Sequence, residues 1–547
     1  MEIELLPQSS LVKVFPDARP AAPAYSAASM LRGEVFSYQI AYYARFPFRA
    51  SARVEVDGDL PATVREVGLE PVELATYPGT ADAVPEEYLH TTAGLFPDPL
   101  LPLRDGVVRL HGYEWRALWV TVDGRQELAP GAHILTVRLT DTETGEELGR
   151  TSFALTVLDA ALPEQTLLFT EWFHCDCIAD WYKAPMMSER HWALIEQYAA
   201  TAVRNGVNML LTPLFTPPLD TNMGAERPTM QLVRVDVTEE GYTFDFSLLG
   251  RWIAMCRRVG VRYFEMSHLF TQWGGWHAPK VMGWRGGACE RLFGWDTDSA
   301  GPAYTAFLEA FLPALVEYLR AQGVYERCYF HVSDEPPVDC LDRYRALREL
   351  LARYVCEDRM MDALSHYAFY ETGLVKLPIP DNEHVHTFLD HGVSPVWTYY
   401  CCGEHTHVSN RFLAQPSVSN RIIGAQMYKY HIAGFLQWGY NYWYCHQSEH
   451  LIDPYRVADG ECAWPAGDPF SVYPGPDGPV ESLRLVVFHE ALQDMRAMAL
   501  LAERKGRARV DALIEEYLGA LRFDDFPRDD SRLLGLRARI NEELAAR

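Results

Sequence analysis

The chain has 547 residues. This length exceeds that of one ordinary domain and predicts two or three domains. Its formal net charge of -25 argues against nucleic acid or an anionic membrane as a partner, because both attract basic surfaces. The 11 cysteines have irregular spacing, which indicates reduced thiols rather than a disulfide framework.

The N-terminal sequence carries no recognisable targeting segment. Residues 1–7 lack a basic region followed by a long apolar stretch, so we expect no signal peptide and a cytoplasmic location. No apolar run along the chain is long enough to span a bilayer, and we predict no membrane association.

Residues 1–162 are predicted to form an N-terminal β-sandwich. Short β-like runs occur at 35–42, 52–56, 116–122 and 133–139, while helical periodicity is scarce. Turn pairs such as Asp57-Gly58 and Asp123-Gly124 separate these runs. Regular short strands with such turns are typical of two packed antiparallel sheets.

From residue 163 the pattern changes to strands that alternate with helices. We therefore predict an α/β fold with a (β/α)₈ barrel of the TIM type over residues 163–479, because eight units suit a barrel better than an open sheet. The eight predicted strands are 167–170, 208–211, 262–266, 329–335, 360–364, 376–379, 395–400 and 434–440. No glycine-rich phosphate fingerprint follows any of them, so we expect no nucleotide cofactor.

Residues 480–547 are predicted to be a helical C-terminal segment. Apolar residues recur at helical spacing from 480 to 504, and Gly506 is a plausible end for this helix. These helices either cap the barrel or form the surface of a homo-oligomer, and the sequence does not choose between the two.

The fourth predicted strand ends in two adjacent carboxylates, Asp334 and Glu335. Pro336 and Pro337 follow, and a proline cannot continue a central strand, so the strand stops at the acids. A helical pattern at 338–355 comes next. The pair is therefore expected at the C-terminal mouth of a parallel barrel, where catalytic groups lie. The alternative is a helix N-cap with an acidic first turn.

Aromatic and polar side chains follow several other predicted strands. Tryptophan and tyrosine combine an apolar face with a polar edge, which suits a sugar-binding pocket, although any one of them could instead belong to the core. The predicted substrate-binding residues are Trp172, His366, Trp397, Tyr399, Trp438, Asn441 and Asp468.

Histidine and cysteine clusters at 174–177 and 401–407 raise the question of a metal site. Neither has the paired Cys-x-x-Cys spacing of structural zinc, and no His-Glu-x-x-His helix occurs in the sequence. We therefore predict no metal and no other cofactor. No Gly-x-Ser-x-Gly elbow is present either, which argues against a serine hydrolase.

Three segments of the sequence resemble glycoside hydrolase family 123. They are the strand 329–335 with its Asp-Glu pair, the aromatic segment 434–443 and the loop 467–475, which departs from the family pattern at Pro469, where a glycine is expected. The resemblance covers the predicted barrel well and the N-terminal domain only in architecture. It implies a β-sandwich ahead of a catalytic (β/α)₈ barrel.

The resemblance also implies an activity. Members of the family are β-N-acetylgalactosaminidases, in which the glutamate of the pair is the general acid/base and the aspartate assists the acetamido group of the substrate. Carried over, these are Glu335 and Asp334. The expected partner is a glycan with a terminal β-linked N-acetylhexosamine, hydrolysed with retention through an oxazoline. A charged Asp334 is expected to raise the pKa of Glu335.

Two other functions stay open on the sequence. One is a barrel glycosidase of another specificity that uses a protein nucleophile, for which Glu171 and Glu265 are the first candidates. The other is a non-catalytic carbohydrate-binding protein.

Overall fold

The computed structural model describes residues 2–46 and 50–546. Met1, the first residue of the segment predicted to contain no signal peptide, lies outside these ranges. None of the helices in the described ranges combines the length and the apolar character that a membrane crossing requires.

The N-terminal region consists of two five-stranded sheets that share one core. Its strands are β1 (Ile3–Ser9), β2 (Ala27–Arg32), β3 (Val35–Ala44), β4 (Ala50–Asp57), β5 (Ala62–Val72), β6 (Gly94–Pro102), β7 (Val107–Leu110), β8 (Trp115–Asp123), β9 (Gly131–Asp141) and β10 (Glu147–Ala161), with one short helix, α1 (Thr80–Ala83). The strand orders are β1-β3-β8-β5-β6 and β2-β10-β9-β4-β7. Alternate residues of the central strands, such as Tyr38 and Ile40 of β3 and Leu135 and Val137 of β9, point into this core because side chains alternate across a strand.

The rest of the chain contains the following strands and helices. The strands are β11 (Leu168–Glu171), β12 (Met209–Thr212), β13 (Arg234–Thr238), β14 (Gly241–Asp245), β15 (Tyr263–Met266), β16 (Val281–Arg285), β17 (Ala288–Phe293), β18 (Cys328–Tyr329), β19 (Met361–Ala363), β20 (Leu377–Ile379), β21 (Trp397–Tyr399), β22 (Gly434–Gln437), β23 (Val472–Gly475) and β24 (Gly478–Glu481). The helices are α2 (Cys175–Tyr182), α3 (Glu189–Arg204), α4 (Ser247–Val259), α5 (Pro302–Ala321), α6 (Leu341–Ala352), α7 (Ala368–Glu371), α8 (Val385–Asp390), α9 (Ser417–Arg421), α10 (Ile423–Lys429), α11 (Leu483–Lys505), α12 (Arg507–Leu518) and α13 (Asp530–Ala545).

The central sheet is parallel and has six strands in the order β18-β15-β12-β11-β22-β21. β19 and β20 pair with each other in a separate two-stranded parallel sheet. One isolated bridge, between Phe330 and Met360, connects this pair to the end of β18, and another, between Asp381 and Tyr399, connects it to β21. A four-stranded sheet, β14-β13-β16-β17, is inserted along the chain between β12 and α5.

The prediction of a closed (β/α)₈ barrel is therefore wrong. The predicted strands divide between a six-stranded and a two-stranded sheet, and no continuous ladder joins the two within the described residues. Short strands explain the break: β18 has two residues, and Pro378 in β20 and Pro380 after it have no N–H to donate to a ladder. The carboxyl ends of the parallel strands nevertheless lie at one edge and carry the candidate site.

The C-terminal helices pack on the N-terminal sheets: α11 contacts β6 of the first sheet, α13 contacts β2 and β10 of the second, and α12 packs against α11 and α13. Leu483 and Met498 of α11 share a hydrophobic cluster with Trp119 of β8. A buried ion pair, in which Arg484 donates to both oxygens of Asp98 at 3.0 and 2.8 Å, joins α11 to β6. The predicted domain boundaries after residues 162 and 479 stay predictions.

Candidate active site

A cavity of about 170 Å³ opens at the carboxyl ends of the central strands. Residues that follow β11, β12, β15, β18, β21 and β22 converge on it, as expected where parallel strands end at one edge. Its lining consists of Trp172, His174, Leu219, Asp220, Gln272, Trp273, Asp334, Glu335, Ala363, Tyr399, Cys401, Cys402, Leu436, Trp438, His446 and Trp464. The site thus combines carboxylates with several aromatic rings.

The side chains of Asp334 and Glu335 both face this cavity although they are neighbours in sequence. In a regular strand they would point in opposite directions. Glu335 has a φ of 42°, in the left-handed region, which breaks the alternation. Two backbone hydrogen bonds hold the turn: Trp273 N–H donates to Asp334 O (2.8 Å), and Glu335 N–H donates to Ala363 O (2.9 Å).

The two carboxyl groups titrate as a pair. Burial raises the pKa of Asp334 well above its usual value, and the charge of Glu335 raises it further. Burial also raises the pKa of Glu335, while a hydrogen bond from Tyr399 acts in the opposite direction. The pKa of Glu335 is therefore raised, but by burial and by the charge of Asp381, and not by the charge of Asp334 as the sequence predicts. Carboxyl groups that interact in this way ionise in two steps whose pKa values belong to the pair.

Tyr399 is the predicted binding residue in direct contact with the pair. Its hydroxyl donates to Oε1 of Glu335 at 2.5 Å. Burial raises the pKa of Tyr399 well above its usual value, and the charge of Glu335 adds to this. The phenol is therefore protonated at neutral pH and donates to Glu335.

Trp172 and Trp438 also line the cavity, and a buried carboxylate fixes each ring. The Trp172 Nε1–H donates to Oε1 of Glu265 at 2.7 Å, and the Trp438 Nε1–H donates to Oδ2 of Asp468 at 3.1 Å. Burial raises the pKa of Asp468 to about 7. With their N–H groups engaged in this way, both indoles are fixed in orientation at the cavity wall.

The structure does not bring the other four predicted binding residues to the cavity. Trp397 is 2% exposed and packs in the core beside Tyr329. His366 lies on the surface before α7. Asn441 is fully buried, and its side-chain amide accepts from the His174 N–H and donates to the His174 carbonyl oxygen, both at 2.9 Å. Asp468 lies behind Trp438 and does not appear in the cavity wall.

The sequence predicts Asn441 and Asp468 as binding residues because both are polar and follow the eighth predicted strand. Both instead hold residues that line the cavity, Asn441 through His174 and Asp468 through Trp438. A sequence pattern records the proximity of a residue to a strand end but not the direction of its side chain.

Several lining residues were not among the predicted site residues. Asp220 and His446 face the cavity from the segments after β12 and β22. Burial raises the pKa of Asp220, and its Oδ2 is buried without a hydrogen-bond partner among the described residues. Gln272 and Trp273 follow β15, and Trp273 is 51% exposed at the mouth. The long excursion after β12 gave no local signal that Asp220 would return to the cavity.

A family model described as the glycoside hydrolase 123 catalytic domain matches residues 172–501. A search of curated proteins finds no significant match. Among solved structures, a family 123 glycoside hydrolase from Clostridium perfringens, described for glycolipid glycan hydrolysis, superposes with a TM-score of 0.74 at 14% identity, covering 99% of this chain and 97% of that one.

Two further solved structures resemble the chain only weakly. A β-glucuronidase from Bacteroides uniformis has a TM-score of 0.30 at 12% identity, over 87% of this chain and 49% of that one. A β-glucuronidase from Ruminococcus gnavus has a TM-score of 0.28 at 10% identity, over 84% of this chain and 66% of that one. Neither bears on the assignment.

Proposed function

The chain belongs to glycoside hydrolase family 123, and from this premise we propose that it is an exo-β-N-acetylgalactosaminidase. It would release terminal β-linked N-acetylgalactosamine with retention of configuration. The observation that carries the proposal is the Asp334–Glu335 pair, whose two adjacent carboxyl groups face one cavity. Substrate-assisted hydrolysis needs two carboxyl groups that reach different atoms of one sugar. Neither carboxyl group needs to attack the anomeric carbon.

The reaction follows from the chemistry of the acetamido group. Its carbonyl oxygen attacks the anomeric carbon and forms an oxazolinium ring, while Glu335 gives its proton to the departing glycosidic oxygen. Asp334 accepts a hydrogen bond from the acetamido N–H and stabilises the positive charge that develops there. Glu335 then takes a proton from water, which opens the ring at the anomeric carbon and restores the acid.

The proton of the pair must be on Glu335 when the reaction starts. In the free enzyme the hydrogen bond from Tyr399 favours the ionised form of Glu335, and burial favours the neutral form of Asp334. A bound substrate reverses both preferences, because its N–H donates to Asp334 and its glycosidic oxygen accepts from Glu335. We propose that substrate binding moves the proton from Asp334 to Glu335 without changing the charge of the pair.

The remaining cavity residues provide the binding surface for the sugar. The rings of Trp172 and Trp438 offer apolar faces for the C–H groups of a pyranose. Asp220 and His446 offer polar groups for its hydroxyls, and the unpartnered Oδ2 of Asp220 is the clearest acceptor. The exposed Trp273 at the mouth is placed to contact the leaving sugar of a longer glycan, such as the glycan of a glycolipid.

The rival enzyme, a glycosidase with a protein nucleophile, needs a third carboxylate. Glu171 pairs with Arg411 and accepts from Ser471 at 2.9 Å, and Glu265 pairs with His331, so neither faces the cavity. Within residues 2–46 and 50–546, the only other carboxylate in the lining is Asp220. A non-catalytic carbohydrate-binding protein is the remaining alternative.

The test is hydrolysis of a panel of 4-nitrophenyl β-glycosides, followed by NMR of the first sugar released. We expect activity on the N-acetylgalactosaminide, β-configured product, and competitive inhibition by N-acetylgalactosamine-thiazoline, a stable mimic of the oxazoline. An α-configured first product would contradict retention. Binding of sugars without hydrolysis of any glycoside would leave the carbohydrate-binding protein as the better account.

A further inference from the structure

A buried group of four titratable side chains lies directly behind the catalytic pair. His331 is three residues before Asp334 in the same segment and is 1% exposed. Its Nε2 contacts Oε1 of Glu265 at 2.7 Å, and its Nδ1 contacts Oδ1 of Asp362 at 3.2 Å. The ring of His268 stacks on His331 with a centroid distance of 4.1 Å. The hydrolysis described above uses none of these four groups.

The hydrogen bonds around the two carboxylates define their charge. Glu265 also accepts from Trp172 Nε1–H at 2.7 Å, and the Thr170 hydroxyl donates to its other oxygen. Asp362 also accepts from the Val332 N–H at 3.0 Å and from the Tyr344 hydroxyl at 2.5 Å.

The Trp172 and Val332 N–H groups can only donate, and the two hydroxyls are able to donate as well, which is the pattern of an ionised carboxylate. An imidazole between two ionised carboxylates donates from both nitrogens only when it is protonated. His331 is therefore an imidazolium, and neither of its nitrogens is left free.

From this geometry we infer that His331 is a positioning residue for the hydrolysis: a buried imidazolium, clamped between Glu265 and Asp362, that favours the ionised form of Asp334 and fixes the Trp172 ring through Glu265. The inference rests on the proposed function, because it assigns His331 a part in the same reaction.

The charges that surround His331 are consistent with this role. Burial alone would lower the pKa of His331, but the hydrogen bonds to Asp362 and Glu265, together with their charges, raise it to about 10. Burial lowers the pKa of His268 far below its usual value, and the charge of His331 adds to this, so His268 is neutral. The stacked pair therefore carries one positive charge.

The effect on Asp334 has a definite sign. The positive charge of His331 lowers the pKa of Asp334, whereas the charges of Glu335, Asp362 and Glu265 raise it, in addition to burial. His331 thus provides the opposing charge that makes an anionic Asp334 accessible when the acetamido N–H arrives. Without it, ionisation of Asp334 would meet the negative charges of Asp362 and Glu265 with no positive charge from this group to oppose them.

The test is the pH dependence of kcat/KM on 4-nitrophenyl N-acetyl-β-galactosaminide for the wild type and two variants. His331→Gln removes the positive charge, so the acidic limb should move to higher pH by about one unit. Glu265→Gln removes a negative charge, so the acidic limb should move to lower pH. If the role of His331 is merely structural, the variants lose activity but the limbs of their pH profiles coincide with those of the wild type. That result would overturn the inference.

A second measurement needs no variant. Neutron diffraction from deuterated wild-type crystals at pD near 8 should show deuterons on both Nδ1 and Nε2 of His331, and a single deuteron would overturn the inference even if neither variant folds. Failure of the proposed function is distinguishable, since the wild type would then not hydrolyse the N-acetylgalactosaminide at any pH. An active wild type whose limbs do not respond to either variant refutes the role of His331 alone.

Discussion

The hydroxyl of Tyr399 donates a hydrogen bond of 2.5 Å to Oε1 of Glu335, the proposed general acid/base. The contact joins residues from β21 and from the turn after β18, which lie 64 positions apart in the sequence. It stabilises the ionised form of Glu335 and therefore opposes the effect of burial on its pKa. The balance of these two effects sets the pH at which Glu335 can act as an acid.

Tyr399→Phe should move the alkaline limb of kcat, which reports the enzyme–substrate complex in which Glu335 carries the proton, to higher pH. Loss of the hydrogen bond leaves the effect of burial unopposed, so the pKa of Glu335 rises and the acid keeps its proton to higher pH. A hydrogen bond to a charged group is worth about 1.5–3 kcal/mol, which corresponds to a shift of about one to two pH units.

Tyr400→Phe is the matched control, because the neighbouring phenol is buried, bonds to Asn420 and does not line the cavity. The limbs of the pH profile of Tyr400→Phe should coincide with those of the wild type. An alkaline limb of Tyr399→Phe that moves to lower pH would contradict the assignment of Glu335 as the acid.

Asp334→Asn should be at least as stable as the wild type at pH 8 although it loses activity. The folded pKa of Asp334 lies above its unfolded value, so the folded state binds more protons, and the stability contribution of this group is lost as pH rises from about 4 through the folded pKa. Asparagine carries no charge and avoids this loss.

Thermal unfolding at pH 8 and at pH 4 measures the effect, with Asp339→Asn as a control on an exposed aspartate nearby. The stability that Asp334→Asn gains over the wild type should be smaller at pH 4 than at pH 8. A variant that is markedly less stable than the wild type at pH 8 would show that the carboxylate contributes to the fold and not only to the reaction.

Glu335→Gln should affect substrates according to their leaving groups. Its proton is essential when the leaving group is a sugar hydroxyl and nearly dispensable when it is an acidic phenol, and general acid catalysis contributes about 10²–10⁴-fold. We therefore expect a large loss of kcat on a disaccharide and a small one on a 2,4-dinitrophenyl glycoside. Equal losses on both substrates would assign the proton transfer to another residue.

The sequence predicted that Asp334 and Glu335 lie together at the end of a strand, and both line the cavity, while their catalytic role stays a prediction. It did not predict the architecture that holds them. Asp334 and Glu335 follow a hydrophobic strand and precede two prolines, which is a local pattern that a sequence shows directly. The closed barrel was predicted from the number of strand-like runs. That count does not show that Pro378 and Pro380 lack the N–H groups that a continuous ladder needs. Trp397 was predicted at the mouth, but it lies at the start of β21 and packs in the core. Tyr399 points to the same face two residues later, at the carboxyl end of the strand, and reaches the cavity.

The sequence did not predict Asp220, His446 and His331 as site residues, for a different reason. Asp220 and His446 lie in irregular segments far from a strand end, and only the tertiary fold brings them to the cavity. His331 was visible in the sequence two residues ahead of Ser333, but its role depends on Glu265 and Asp362, which come from two other strands. Contacts of this kind have no local pattern.

Asp220→Asn should weaken the binding of one particular sugar hydroxyl. Its Oδ2 is buried without a partner among the described residues, and a hydrogen bond to a charged group is worth about 1.5–3 kcal/mol, or roughly 10- to 100-fold in kcat/KM. Deoxy substrates identify the hydroxyl, because the variant should lose nothing further on the substrate that lacks it. Complete inactivation of Asp220→Asn, with activity restored by azide, would instead identify Asp220 as a protein nucleophile.

The most direct test of substrate assistance compares kcat/KM for 4-nitrophenyl N-acetyl-β-galactosaminide with that for 4-nitrophenyl β-galactoside. The two differ only at the 2-position, where the acetamido group would supply the nucleophile. An attack within the same molecule can contribute about 7–11 kcal/mol of the barrier, so we predict that the galactoside is slower by more than roughly 10³-fold. Similar rates on the two substrates would contradict the account, because hydrolysis would then not depend on the acetamido group that Asp334 is proposed to assist.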